Sequence, residues 1–235
     1  GYTLQSRGDF AGAERAYTEA LAMNRKLLGE DHPEVALNEN NLAWLLYRRG
    51  DLEGAVALLR HVLESYQQSL GADHPDVAGV SASLAYWLID LGQFVEAGEL
   101  LQRSLAIREQ ALGKEHPQVA GTLTVQANLM LATGRYAEAR TLAAEAQRIL
   151  RASLPEDHWQ VAVAVNVEGA ALAKLRDFES AEQLLLKSQP ALAGASIPGL
   201  DVRGRQRLAE LYTAWGRPAD AARYRGAATG SSIAR

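Results

Sequence analysis

The hexapeptide Leu70-Gly71-Ala72-Asp73-His74-Pro75 is one of four versions of a phrase that recurs every 42 residues along this 235-residue chain. The other versions are Leu28-Gly29-Glu30-Asp31-His32-Pro33, Leu112-Gly113-Lys114-Glu115-His116-Pro117 and Leu154-Pro155-Glu156-Asp157-His158-Trp159. A fixed period of this length is typical of stacked supersecondary units. Because each unit in such a stack contacts only its neighbours, we expect an extended surface to carry the function, not a catalytic cleft.

A second marker has the same period and indicates where one helix ends and the next begins. Glycine stands at positions 8, 50, 92 and 134, Arg176 takes the next position, and Gly216 arrives two residues early. An alanine lies five residues after each marker, and a small residue lies seven before every marker except the first. Small residues at fixed positions let two antiparallel helices pack closely.

Apolar residues recur at spacings of three and four between the markers, as in Val56, Leu59, Val62 and Leu63, which is the helical period. No run has the period of two that a strand would show. The sequence therefore predicts an all-α protein. The predicted helix pairs are 33–49 with 52–70, 75–91 with 94–112, 117–133 with 136–154, 159–175 with 178–190, and 201–215 with 218–226.

The ordered set of small residue, leucine, glycine, aromatic residue and alanine resembles the tetratricopeptide repeat (TPR). The 42-residue period and the Leu-Gly-x-Asp-His-Pro phrase resemble the subclass typified by kinesin light chain. This resemblance implies a right-handed α-solenoid of about six antiparallel helix pairs, with a concave groove that binds a protein or peptide. The closing stretch 211–218 and Trp159 resemble the C-terminal repeats of bacterial serine/threonine protein kinases, which implies a regulatory arm of a larger signalling protein.

The repeats predict four regions along the chain. Residues 1–190 are tandem repeats with a truncated first unit, in which residues 1–8 are the end of a helix, and residues 191–200 are a looser junction. Residues 201–226 are a capping helix pair, and residues 227–235 are a small, polar tail that we expect to be disordered.

Composition excludes several classes of function. The formal charge of −4 disfavours nucleic acid as a partner, and no stretch is apolar enough to span a membrane. The chain has no cysteine, which removes thiolate nucleophiles and agrees with a reducing cytoplasm. Asp90 and Lys174 are the only charged candidates on the concave side of the middle units. We therefore predict no catalytic residues and no cofactor.

The repeated histidines invite a metal site, but stacking argues against it. Packed helices lie about 8–10 Å apart, so histidines of adjacent repeats are too distant to share one ion. The pattern instead predicts that the acidic residue before each histidine caps the following helix and that Pro33, Pro75 and Pro117 occupy its first turn. The predicted capping residues are Asp31, Asp73, Glu115 and Asp157.

The resemblance places one face of each first helix in the groove, where aromatic and amide side chains are candidate binding anchors. The candidates are Asn40, Asn41, Trp44, Tyr47, Arg48, Ser83, Tyr86, Asn128 and Asn166. Three alternatives stay open. In the first, Trp44 and Tyr86 pack between helices and stiffen the solenoid. In the second, the array self-associates as a homodimer. In the third, the arginines at 203, 205 and 207 bind an acidic segment instead of giving the last repeat a polar outer face.

Overall fold

The computed structural model describes residues 10–225 except residues 31, 196 and 198, and all regular structure in those ranges is α-helical. The predicted end of a first helix at residues 1–8 and the predicted tail at 227–235 lie outside the described residues. The helices are α1 (Phe10–Leu28), α2 (Pro33–Arg49), α3 (Leu52–Leu70), α4 (Pro75–Asp90), α5 (Phe94–Leu112), α6 (Pro117–Ala132), α7 (Tyr136–Arg151), α8 (Trp159–Lys174), α9 (Phe178–Gly194), α10 (Leu200–Ala214) and α11 (Pro218–Arg225). The predicted all-α solenoid is confirmed.

Each pair consists of a first helix and an antiparallel second helix: α2 with α3, α4 with α5, α6 with α7, α8 with α9, and α10 with α11. Each second helix from α3 to α9 also packs on the next first helix. Along the stack, the backbones of α4 and α6, of α6 and α8, and of α8 and α10 approach each other closely. In the described ranges the second helices approach each other only through side chains, as where Arg60 of α3 pairs with Glu96 of α5 at 2.7 Å. The first helices therefore line the inner, concave side of the solenoid.

Alanines form the seam where the two helices of a pair meet. Ala43, Ala55, Ala85 and Ala97 have no exposed surface, as have Ala127 and Ala139 in the next unit. Gly169 takes the corresponding position in α8, where an added Cβ would lie 2.9 Å from Leu185 Cγ. The small residues at these positions are therefore required by the distance between the two helices.

Each pair turns at a left-handed residue that closes the first helix. Gly50, Gly92 and Gly134 have φ between 74° and 86°, and Arg176 holds the same turn with φ of 68°. The next residue donates its N–H to the carbonyl five positions earlier, as from Asp51 to Leu46 at 3.0 Å. This closure satisfies carbonyl groups that the end of a helix leaves open.

The predicted capping residues are wrong by one position. The histidine caps each of α2, α4, α6 and α8, because its Nδ1 accepts a hydrogen bond from the N–H two residues later at 3.2–3.3 Å. Proline at the first helical position holds the preceding histidine in the extended conformation that a cap requires, as at His74 with φ of −73° and ψ of 141°. Asp73, Glu115 and Asp157 make no such bond within the described residues, and Asp31 lies outside them.

One helix differs from its predicted bounds by more than three residues. α9 runs through Pro190 to Gly194, whereas the sequence predicts its end at residue 190. Proline removes one intrahelical donor but leaves the following turn intact, and Leu192 in that turn is 2% exposed in the core. Burial of Leu192 thus extends the helix beyond the proline.

A buried carboxylate ties α1 to the next pair. Glu39 of α2 has no exposed surface, and its two oxygens contact Arg25 Nη2 of α1 at 2.7 Å and His61 Nδ1 of α3 at 2.6 Å. Two partners compensate the burial of this charge, which would otherwise be costly. The contacts fix the helix that carries Asn40 and Asn41.

The histidine cap predicts a position-specific effect on stability. His116→Ala removes the acceptor for the Gln118 N–H and is expected to lower the free energy of unfolding by about 1 kcal/mol. His116→Asn keeps a capping acceptor and should stay within about 0.5 kcal/mol of the wild type. Urea denaturation followed by circular dichroism measures both, and equal losses for the two variants would contradict the capping interpretation.

The alanine seam predicts opposite effects for two glycine substitutions. Gly169→Ala would force its Cβ against Leu185 and should destabilise the protein by about 1–3 kcal/mol. Gly121→Ala lies in a first helix with no atom within 4 Å of the added Cβ, and should stabilise the protein by about 0.5–1 kcal/mol. Thermal unfolding of both variants compares the sites, and two shifts in the same direction would refute close packing at Gly169.

Candidate partner-binding groove

Side chains from five first helices meet in the concave groove. They are Tyr47 of α2, Tyr86 and Asp90 of α4, Asn128 of α6, Asn166 of α8, and Arg203 and Arg207 of α10, and they are called here the groove cluster. The cluster contains four of the nine predicted binding residues. The stacking of the repeats brings these four together although 119 residues separate Tyr47 from Asn166.

The predicted aromatic anchors lie partly against the core. Trp87 is fully buried, Tyr47 stacks on its ring at a centroid distance of 4.9 Å, and Trp44 meets it edge to face at 5.0 Å. Trp44 and Tyr47 are half-buried and pack on the same hydrophobic core. The stiffening alternative therefore holds for Trp44, which supports Trp87 in addition to bordering the groove.

Arg203 crosses the groove to the aromatic end. Its Nη2 donates to Asp90 Oδ2 at 2.8 Å, and its guanidinium lies 4.9 Å from the centre of the Tyr86 ring. The Tyr47 hydroxyl donates to the same Asp90 oxygen at 3.3 Å. Burial, together with the nearby Tyr86, raises the pKa of Tyr47 well above its ordinary value, so this phenol stays protonated and remains a donor.

Arg207 binds two amide oxygens. Its Nη1 donates to Asn166 Oδ1 at 2.9 Å, and its Nη2 donates to Asn128 Oδ1 at 2.7 Å. The amide nitrogens are used elsewhere, since Asn166 Nδ2 donates to Ser188 Oγ at 3.1 Å and Asn128 Nδ2 donates to the Thr124 carbonyl at 3.1 Å. Burial lowers the pKa of Arg207 to about 10, which leaves it charged at neutral pH.

The other predicted residues differ in whether their side chains already have hydrogen-bond partners. Asn40 and Asn41 are partly exposed, and in the described ranges their side chains have no hydrogen-bond partner. Ser83 Oγ donates to the Gly79 carbonyl of its own helix at 3.2 Å. Arg48 is half-buried, and burial lowers its pKa. The α2 end of the groove thus offers two amides, whereas Asn128 and Asn166 are already bonded.

Sequence reasoning missed the part that α10 takes in the groove. The interpretation of the three arginines as a polar outer face is wrong for Arg203 and Arg207, and only Arg205 pairs within its own helix, with Asp201 at 2.7 Å. Arg203 and Arg207 are four residues apart and therefore share one helix face. That spacing indicates that both arginines point to the same side of α10. Whether that side faces the groove depends on the curvature of the whole stack.

The family model of the tetratricopeptide repeat matches residues 1–68 and 76–152. The chain belongs to the tetratricopeptide repeat family. This match confirms the predicted family, and TPR arrays mediate contacts between proteins without being catalytic themselves. The protein is therefore a TPR interaction module. The residues that the family model covers are repeats and not a catalytic domain.

Solved structures agree with the kinesin-light-chain-like subclass. A substituted variant of the nearly identical TPR-like repeats of a Podosopora anserina protein named for kinesin light chain has a TM-score of 0.66 at 25% identity, covering 82% of this chain and 91% of that chain. The same repeats without that substitution give 0.64 at the same identity and coverage. BtubC (BKLC) from P. vanneervenii, at 21% identity, has a TM-score of 0.63 over 95% of this chain and 92% of its own, which shows a shared fold. Comparison with curated proteins finds no significant match.

Neither a membrane span nor a metal site is found in the described ranges. Among α1–α11, none has both the length and the apolar character that crossing a bilayer demands. Histidine, aspartate and glutamate side chains in these ranges form no group of three that could hold a metal ion.

The two kinds of predicted anchor should differ in their effect on stability. Trp44→Ala removes a half-buried ring from Trp87 and is expected to lower the free energy of unfolding by about 2–3 kcal/mol. Asn41→Ala removes a side chain without a hydrogen-bond partner in the described ranges and should change it by less than about 0.5 kcal/mol. Chemical denaturation of both TPR variants tests this, and a Trp44→Ala protein as stable as the wild type would show that Trp44 serves the groove alone.

Proposed function

We propose that the TPR array binds an extended peptide or protein segment along its concave groove. The observation that carries this proposal is the groove cluster, in which five first helices direct aromatic, amide and charged side chains onto one surface. A rigid stack presents the α2 end of this surface already formed, so binding there costs little ordering of the receptor. The partner in this proposal is a protein, and neither nucleic acid nor a membrane surface is required.

The α2 end of the groove is where the segment would first bind. The Asn40 and Asn41 amides each offer a donor and an acceptor, which suits the alternating N–H and C=O groups of a peptide backbone. Trp44 and Tyr47 border these amides and offer apolar surface for a side chain of the segment. Asn128 and Asn166 would bind only after Arg207 leaves their oxygens.

The setting of this module is part of the proposal. The resemblance of residues 211–218 to the terminal repeats of bacterial serine/threonine kinases supports a regulatory arm of a larger signalling protein. The absence of cysteine supports a reducing cytoplasm as its location. In that setting the groove would select the substrate or regulator that an attached domain acts on.

Photochemical crosslinking followed by affinity measurement tests the groove. A benzoylphenylalanine at Asn41 reports on the groove, and one at Val95, which is 79% exposed on the second helix α5, is the control. We expect capture from native lysate at position 41 only. The captured segment, made as a labelled peptide, should bind an Asn40→Ala, Asn41→Ala variant about tenfold more weakly, since two backbone hydrogen bonds are lost.

The control variant for the affinity measurement is Val95→Ala, which should bind the peptide as the wild type does. A segment that is captured at position 95 and binds the asparagine variant with unchanged affinity would contradict the groove as the binding surface. Circular dichroism of each variant separates lost binding from lost structure.

Self-association is the second candidate function, and exposed apolar residues favour it. Met23 and Leu27 of α1 are 61% and 71% exposed, and Leu28 and Leu37 are each 46% exposed. Apolar surface of this kind is common at protein interfaces. Sedimentation velocity over a hundredfold range of concentration distinguishes the two functions, since a dimer gains mass with concentration and a groove-binding monomer does not.

A further inference from the structure

We propose that Arg203 and Arg207 form a latch that holds the groove closed, and that an acidic group of the bound segment opens it. This inference rests on the proposed function, because it states how the segment enters the groove. The two arginines are called here the arginine latch. It joins the last helix pair to the first helices of the four preceding units.

The latch is a contact between side chains, without support from the backbone. In the described ranges α10 packs against α8, α9 and α11, but its backbone does not approach α2 or α4. The connection across the groove consists of Arg203 with Asp90, Tyr86 and the Tyr47 hydroxyl, the last at 3.5 Å. Arg203 and Tyr47 are 156 residues apart, so this contact links the two ends of the solenoid.

The core of the last pair does not depend on the latch. Leu208, Leu211 and Tyr212 of α10 are buried against α8, α9 and α11 together with Leu172 and Leu185. Arg203 and Arg207 lie outside this hydrophobic core. Substituting the arginines should therefore leave α10 folded and remove only its side-chain contacts across the groove.

The closed latch leaves no room for a ligand beneath it. The space enclosed by Tyr86, Asn128, Asn166 and the two arginines has a volume of about 10 Å³. That volume holds one water molecule at most. A segment that uses Asn128 and Asn166 must first displace the arginine side chains.

Charge indicates what displaces them. Arg203 has one carboxylate partner, Asp90, whereas Arg207 donates to two neutral amide oxygens. Glu210, the other acidic residue that acts on Arg207, lies 3.6 Å from Lys174 and is shared with it. Within the groove cluster two arginines thus face one carboxylate, and the cluster keeps an excess positive charge.

A carboxylate from a partner would correct this imbalance. Hydrogen bonds between a guanidinium and a carboxylate are about twice as strong as those to neutral acceptors, and they are often bidentate. An aspartate or glutamate of the segment would therefore take Arg207 from the asparagines and compete with Asp90 for Arg203. The freed asparagine oxygens could then accept hydrogen bonds from the backbone of the segment.

A distance measurement between the first and the last described helix pairs tests the latch. Because the chain has no cysteine, Ala57→Cys and Ala222→Cys give two spin-label sites at exposed alanines of α3 and α11. Double electron–electron resonance then reports the separation of the ends. We expect the Arg203→Ala, Arg207→Ala variant to show a distance distribution shifted to longer values and broadened relative to the wild type.

The matched control is Arg205→Ala, which removes the same kind of charge from the same helix but breaks only the local pair with Asp201. Its distance distribution should equal that of the wild type. An unchanged distribution in the double variant would overturn the latch. A shift of the same size in the control would also overturn it, because the effect would then belong to helix charge.

Peptide probes test the acidic group. Hexaglutamate should shift the wild-type distribution toward that of the double variant and leave the double variant unchanged, whereas hexaglutamine should shift neither. Opening by hexaarginine instead of hexaglutamate, or no response to hexaglutamate, would overturn the assigned charge of the ligand. These distances require no natural partner, so the latch can fail while groove crosslinking succeeds, and the reverse outcome is equally distinguishable.

Discussion

The close approach of two helices at an alanine seam is the constraint on which the rest of this structure depends. Ala43 and Ala55 have no exposed surface, and the same pair of positions recurs every 42 residues as far as Gly169 and Ala181. Helices packed this closely have one relative orientation, so every pair repeats the same small rotation against its predecessor. The groove is the sum of these rotations. Its residues are therefore positioned by buried alanines that do not line the groove themselves.

The turns and caps make this seam reproducible. A left-handed residue closes each first helix from α2 to α10, and a histidine opens α2, α4, α6 and α8. These first helices therefore begin and end at a fixed distance from the seam. The histidine was conspicuous in the sequence because a repeated imidazole beside an acid resembles a metal ligand set. Its Nδ1 instead accepts a hydrogen bond from a backbone N–H, which the first turn of a helix leaves without an intrahelical acceptor. This role is structural and does not involve a binding partner.

The sequence predicts local features of this protein well because they depend on neighbouring residues. Most helix bounds agree within three residues, since the glycine and proline markers lie at the helix ends themselves. Pro190 misleads because burial of Leu192 outweighs one lost hydrogen bond. The groove is predicted only in part: helix register places Tyr86 and Asn166 on the concave side, but nothing in a local pattern states that Arg203 reaches Asp90, 113 residues earlier.

That contact changes how the solenoid should be regarded. In a stack where each unit contacts only its neighbours, the free energy of unfolding is a sum of local contributions. A change at one end of such a stack does not affect the other end directly. Arg203 adds a connection between the last unit and the first ones, so the curvature of the array becomes sensitive to the charge in its groove. A ligand that takes the arginine changes the energy of the closed form relative to the open form, and such differential binding is what a switch requires. Because side chains alone make this contact, a ligand can replace it without unfolding α10 or α4. The array thus combines rigid units with one contact between side chains across the proposed binding groove.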